Sequence, residues 1–264
     1  LISRIAGFLM NTRIPFLKNA IIAWFMKRYR ITLNEAIIST PSAFKNFNDF
    51  FTRQLKPGAR PLSSGVISPV DGTISQLGTI NQNKLVQAKN IDYTLEALLA
   101  GDKKACADFS AGAFATLYLS PSDYHCVHMP LAGQLKKMIY VPGRLFSVNH
   151  QTTCNVPHLF ARNERLICFF ETAQGTMAVI LVGAMIVASI NTVWAGRIAP
   201  RKPRQITAWE YTKTSPQTTL AKGDMLGSFS LGSTVILLFE KNTVEFLAQS
   251  LGQSIKMGQA LAAP

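Results

Sequence analysis

Charge is scarce in this 264-residue sequence. Asp, Glu, Lys and Arg make up 16% of it, where an ordinary soluble domain has roughly 25%. Acids are rarer than bases, 14 against 27, so the formal net charge is +13. No apolar run reaches the roughly 18–20 residues of a membrane-spanning helix. The longest, Met177 to Ile190, is interrupted by Gly183 and Ser189 and reads as a buried strand. The N-terminus lacks the apolar core and small-residue cleavage site of a secretory signal. Four cysteines, Cys106, Cys126, Cys154 and Cys168, match no CxxC zinc spacing, so reduced thiols in a cytoplasmic setting are expected. There is no internal repeat, no Gly-rich phosphate loop, and no helix-turn-helix, zinc-finger or RNP signature, which argues against a nucleic-acid partner. A hydrophobic content of 48% and a mean hydropathy of +0.17 exclude a disordered chain.

What is present is unevenly placed. Residues 1–60 hold ten basic and two acidic residues, a balance of +8 that leaves +5 for the rest. The same stretch carries apolar residues at near-helical spacing. Leu1, Ile5, Phe8 and Leu9 suggest one face, and Leu17, Ile21, Trp24 and Phe25 another, with Lys27, Arg28 and Arg30 just beyond. Basic amphipathic helices bearing Trp and Phe lie in the interface of an anionic membrane. The plainer reading is that they cover a core. Residues 1–60 are therefore expected to form a membrane-association region, peripheral on the cytoplasmic side of the cell membrane.

After Pro57-Gly58-Ala59-Arg60-Pro61 the pattern becomes short alternating runs broken by Gly and Pro. Strands are expected at 73–78, 84–88, 113–119, 132–140, 165–172, 176–189, 191–195 and 233–240, with a short helix from Leu95 to Leu99. Strands without regular intervening helices predict an α+β fold. Its antiparallel-rich β body, barrel-like or a sandwich, fills 61–264, with the amphipathic helices N-terminal to it. A homodimer is neither required nor excluded.

Few constellations of reactive residues exist. His125 and His128 share the segment Ser120-Pro-Ser-Asp-Tyr-His-Cys-Val-His-Met-Pro130, and no third ligand at useful spacing supports a metal. At least one of these histidines suits a general base, although a structural histidine reads equally well. Asp71, in Ile67-Ser-Pro-Val-Asp-Gly72, reads by itself as an ordinary β-turn whose carboxylate bonds its own backbone. Ser233, in Leu231-Gly-Ser-Thr234, reads as a bend or bulge entering a strand. Its surroundings do not have the G-x-S-x-G spacing of a hydrolase elbow. Spacing alone allows Ser233, a histidine and Asp71 to form a nucleophilic triad.

In order, Val70-Asp71-Gly72, Asp123-Tyr-His-Cys-Val-His-Met-Pro130 and Leu231-Gly-Ser-Thr234 resemble the bacterial phosphatidylserine decarboxylase proenzymes. The resemblance extends through Tyr140-Val-Pro-Gly143, Leu145-Phe-Ser-Val-Asn149, Leu159-Phe-Ala-Arg-Asn-Glu-Arg165 and Val193-Trp-Ala-Gly196, and includes the basic N-terminal helices. Cys126 departs from it, standing where the family usually has Arg.

The resemblance implies that Ser233 attacks the Gly232 carbonyl, with His128 as base and Asp71 orienting it. Self-cleavage would give a β chain of 1–232 and an α chain of 233–264, with a pyruvoyl group derived from Ser233 as the only cofactor, without metal or pyridoxal phosphate. That group would form a Schiff base with phosphatidylserine, releasing CO2 and phosphatidylethanolamine. His125 would assist decarboxylation. Two rivals remain: a membrane-associated serine hydrolase of lipid esters, and a non-catalytic membrane-binding module.

Overall fold

β-Branched and aromatic side chains dominate the segments after Pro61, and such side chains favour a pleated, half-buried backbone. The computed structural model describes residues 10–89, 91–184, 189–212, 218–230 and 233–263. Its first strands are β1 (Val66–Ile67), β2 (Gly72–Thr79), β3 (Lys84–Ala88), β4 (Ile91–Thr94) and β5 (Ala113–Leu119). Next come β6 (Cys126–His128), β7 (Gly133–Val141), β8 (Arg165–Thr172) and β9 (Gly175–Gly183). β10 (Ile190–Thr192), β11 (Gly196–Ala199), β12 (Thr207–Glu210), β13 (Thr219–Leu220) and β14 (Met225–Phe229) lead to β15 (Ser233–Phe239). The last are β16 (Glu245–Phe246), β17 (Ser254–Ile255) and β18 (Ala260–Ala263).

A nine-stranded sheet has the order β12-β7-β8-β9-β15-β5-β2-β17, with β13 also on β7. Its pairings are antiparallel, as expected, and its path is open, not a closed barrel. A second sheet, β11-β10-β14-β6, covers one face. Alternation sorts the central strands: Leu117, Val235, Leu237 and Leu181 face a core shared with Val127, Met129 and Phe229. Phe114, Ile236, Leu238 and Ile180 face a second core with Leu95, Phe109, Leu159 and Phe160. Burial on both faces makes β15 and β9 read as continuous apolar runs. The strand expected over 176–189 is described to Gly183 as β9; residues 185–188 lie outside the described segments.

The helices are α1 (Pro15–Tyr29), α2 (Phe47–Phe51), α3 (Leu95–Leu98), α4 (Lys103–Asp108), α5 (His150–Thr153) and α6 (Leu159–Arg162). The face suggested by Leu1, Ile5, Phe8 and Leu9 lies outside the described residues. The second face requires correction. Lys18, Ile22 and Phe25 are the buried residues of α1, whereas Trp24 is 63% exposed. Phe25 packs edge-on against Phe47, Phe50 and Phe51, which sets the inward direction. The Lys18 ammonium adds to it by donating to the carbonyls of Ser42 (2.7 Å) and Phe44 (2.6 Å).

Candidate active site

β5 ends at Leu119, and the chain turns at once. The Ser120 N–H donates to Asp123 Oδ2 at 2.7 Å and the Asp123 N–H to the Ser120 carbonyl at 3.0 Å. This closed turn delivers Tyr124, His125 and β6 across the end of the large sheet. The β6 backbone then ties to the Asp71 segment, because the His128 N–H donates to the Pro69 carbonyl at 2.8 Å.

The partners of each histidine fix its tautomer, since a carbonyl can only accept. His128 Nδ1 donates to the Gly223 carbonyl at 2.8 Å, leaving Nε2 as the lone pair that accepts from the Tyr124 hydroxyl at 3.0 Å. Burial holds its pKa below the usual histidine value. His125 has no exposed surface, and its Nδ1 donates to the Asp123 carbonyl at 2.9 Å. Its Nε2 is buried without a partner, and the Phe51 ring lies 4.0 Å away between centroids. Burial pushes the His125 pKa down to about 3, so the ring is neutral at physiological pH.

Asp71 is not the self-bonded turn residue its local sequence suggests. Its Oδ1 accepts from Arg60 Nε and the Met257 N–H, both at 2.9 Å, and its Oδ2 from Arg60 Nη2 at 2.5 Å. Arg60 also reaches Glu35 at 2.9 Å. The carboxylate is turned away from its own backbone by a cation 11 residues earlier and an amide 186 residues later. Gly72 must follow it, because a Cβ there would lie 2.4 Å from the Tyr118 carbonyl oxygen. That approach places the start of β2 hard against the end of β5.

Ser233 opens β15 between Leu119 of β5 and Gly183 of β9. It is fully buried and its Oγ has no partner among the described residues. Alternation puts its side chain on the Val235 face, the face that β6 covers. β2 and β15 flank β5, so their backbones are about 10 Å apart at this end. Asp71, His125, His128 and Ser233 thus gather at one end of the large sheet. No hydrogen bond joins the side chains of Asp71, His128 and Ser233 to one another. Gly232, on the other side of the expected cut, lies outside the described residues.

A cavity of about 340 Å³ opens beside His128 and is lined by Leu55, Arg60, Tyr124, Met225 and Met257. A neighbouring one of about 200 Å³ shares Leu55, Arg60 and Tyr124 as wall, and adds Arg30, Arg53 and Asp71. Among the described residues no group of three or more His, Cys, Asp or Glu is arranged to hold a metal ion. Sequence reasoning missed Arg53, Arg60 and Tyr124. Arg53 and Arg60 fall within the N-terminal charge excess, and Tyr124 is one residue of the histidine segment. The segment Leu159–Arg165 stands apart as architecture: Asn163 Nδ2 donates to the Phe146 and Gly183 carbonyls, and Arg165 donates to four others.

Antiparallel sheets carrying a buried histidine, a half-buried one beside a cavity and a buried serine at one sheet end describe an enzyme site, and comparison with known proteins gives the class. A family profile described as phosphatidylserine decarboxylase matches residues 47–263, and one described as PSD matches residues 1–30. A phosphatidylserine decarboxylase proenzyme of Pseudomonas putida is 53% identical over 270 residues, covering 100% of this chain and 93% of its own. The Bordetella avium protein of that name is 53% identical over 268 residues (100% and 90% covered), and that of Pseudomonas fluorescens 50% over 269 (100% and 94%). The chain belongs to the phosphatidylserine decarboxylase family.

Proposed function

We propose that this chain is a proenzyme that cuts itself between Gly232 and Ser233 and then decarboxylates phosphatidylserine to phosphatidylethanolamine. The observation that carries the reading is Ser233, a fully buried hydroxyl with no partner among the described residues. An unsatisfied buried hydroxyl costs about 1–3 kcal/mol and is retained only for a reason. Here it opens a central strand on the face covered by the strand of His128.

His128 is the base. Its Nε2 lone pair, now accepting from Tyr124, takes the Ser233 proton when that hydroxyl gives way, and Nδ1 stays pinned to Gly223. Asp71 acts on His128 through space, favouring the imidazolium that forms. The Ser233 oxygen adds to the Gly232 carbonyl, and the Gly232–Ser233 C–N bond breaks as the His128 imidazolium returns its proton to the Ser233 nitrogen, turning the amide into an ester. Loss of the Ser233 Cα proton then expels the Gly232 carboxylate. The resulting dehydroalanine takes up water and loses ammonia.

Ser233 fits as the precursor of a pyruvoyl group. That group would supply an electrophilic carbonyl for the substrate amine and an electron sink for decarboxylation. The Nε2 of His125, a lone pair on a neutral ring, would pass a proton to the carbon that loses CO2 after first taking one up from substrate or solvent. The match to the phosphatidylserine decarboxylase family favours this reading over a hydrolase of lipid esters.

The chain would work at an anionic membrane surface on the cytoplasmic side. α1 turns Phe16 (79% exposed) and Trp24 outward, with Arg13, Lys27 and Arg28 exposed around them. No helix of the described residues is long and apolar enough to cross a membrane.

Intact mass spectrometry of freshly purified protein tests the reading. Two polypeptides, 1–232 and 233–264, are expected, the smaller without a free amino terminus, together with CO2 release from phosphatidylserine micelles. Ser233→Ala should stay whole and release none. An uncut, folded wild-type chain would defeat the proposal.

A further inference from the structure

Arg53 is a buried cation without a counter-ion. It follows α2, is 8% exposed, and lines the smaller cavity beside the candidate site. Nη2 donates to the Ser122 carbonyl at 3.3 Å, and the guanidinium lies over the Phe50 ring at 5.5 Å. Nη1 is buried with no partner. The acids that act on Arg53 through space are both engaged elsewhere. Asp71 is held by Arg60 and the Met257 amide, and Asp123 Oδ2 by the Ser120 N–H. Removing an unpaired cation from water is costly unless an anion joins it.

Among the described residues Arg53 forms no ion pair, so that anion must come from outside the chain. The geometry points to Arg53 as the anchor of a phosphodiester subsite, with Arg30 on the wall of the same cavity, whose acids are engaged within the chain: Glu35 by Arg60 and Lys256, Asp71 by Arg60, and Asp123 by the Ser120 N–H. The guanidinium fork matches two phosphate oxygens. The larger cavity, carrying His128, shares the Arg60–Tyr124 wall. A headgroup with its phosphate on Arg53 therefore extends its amine and carboxylate toward His128 and Ser233. The substrate carboxylate is the poorer occupant of the Arg53 position. An ion pair there would stabilise the ground state of a group that must leave as neutral CO2.

This subsite rests on the phosphatidylserine reading, so its test does not use turnover. Full-length wild type, Arg53→Gln and Arg53→Lys are titrated calorimetrically, and by ³¹P NMR, with glycerophosphocholine, inorganic phosphate and serine. Glycerophosphocholine has the phosphodiester but neither a carboxylate nor a primary amine. Its affinity should fall about tenfold in Arg53→Gln, the loss of one charge-assisted hydrogen bond. Arg53→Lys, with charge but no fork, should lie between. Serine binding should be the same in all three. Equal affinity for glycerophosphocholine across the three proteins overturns the subsite, as does serine binding that depends on Arg53. Inorganic phosphate binding as tightly as glycerophosphocholine would assign the site to free phosphate and overturn the headgroup assignment. If Arg53→Gln does not fold, the comparison of wild type with Arg53→Lys decides. Arg53-dependent binding in a protein that releases no CO2 would leave the subsite standing and the proposed activity refuted.

Discussion

Arg60 is the cation on which the placement of Asp71 depends, and replacing it with Gln gives a prediction that geometry fixes in sign. The two side chains are 6% and 12% exposed, and the guanidinium holds both carboxylate oxygens. Removing one partner of a buried pair costs about 3–5 kcal/mol, because the other charge stays buried. Asp71 keeps the Met257 amide, which favours the lower end. The ion pair of Arg60 with Glu35 also goes, but its acid is half exposed, so this adds at most about 1 kcal/mol. A cost near 3 kcal/mol follows, equivalent to about 6–12 °C in Tm for a domain of this size.

The discriminating measurement is the double variant. With Asp71→Asn added to Arg60→Gln no buried charge is left, so the pair of changes should be milder than Arg60→Gln alone, with a coupling of about 2 kcal/mol. Differential scanning fluorimetry and urea unfolding should be run in a Ser233→Ala background, so that every variant is compared as a single polypeptide. Additive costs, or an Arg60→Gln protein within a degree of its parent, would refute the argument that this ion pair is a buried structural clamp.

Two further outcomes follow from the structure. The folded-state pKa of His125, about 3, lies below the ordinary value of 6.5, so the unfolded chain binds more protons between them. Its contribution is present above pH 6.5 and is lost as pH falls toward 3, by about 3 kcal/mol at pH 4. His125→Asn should flatten that acid limb of the urea-midpoint-against-pH curve, and an unchanged limb would show that other groups cause it. The double change Phe16→Ser, Trp24→Ser should leave Tm within about 1 °C, since exposed residues seldom carry stability. It should also weaken cosedimentation with anionic vesicles; undiminished binding would remove α1 from the membrane surface.

What could be read from the sequence divides along a physical line. β5 and β8 were legible to the residue, and β15 nearly so, because runs of seven or eight apolar or alternating residues carry a period. β6 and β14 were not legible. β6 has three residues, and β14 contains Gly227 because a Cβ there would meet the Asn191 carbonyl oxygen at 2.1 Å. Yet β6 carries His128. The four reactive side chains were nameable because histidines and acids are so few and sit in ordered motifs. Their partners were not, since Arg60 finds Asp71, and Gly223 finds His128, only through tertiary pairing.

The charge excess shows the limit most sharply. Of the ten basic residues in the first sixty, Lys18, Arg53 and Arg60 turn inward, to carbonyls, a cavity and a carboxylate. A net charge of +8 counts them with Arg13, Lys27 and Arg28, which face solvent. A sum of charges has no direction, so composition pointed to one anionic partner. The fold separates two destinations: an exposed basic and aromatic face on α1, and a buried pair of arginines at the site. The segment read as a membrane-association region therefore also builds a wall of the candidate active site.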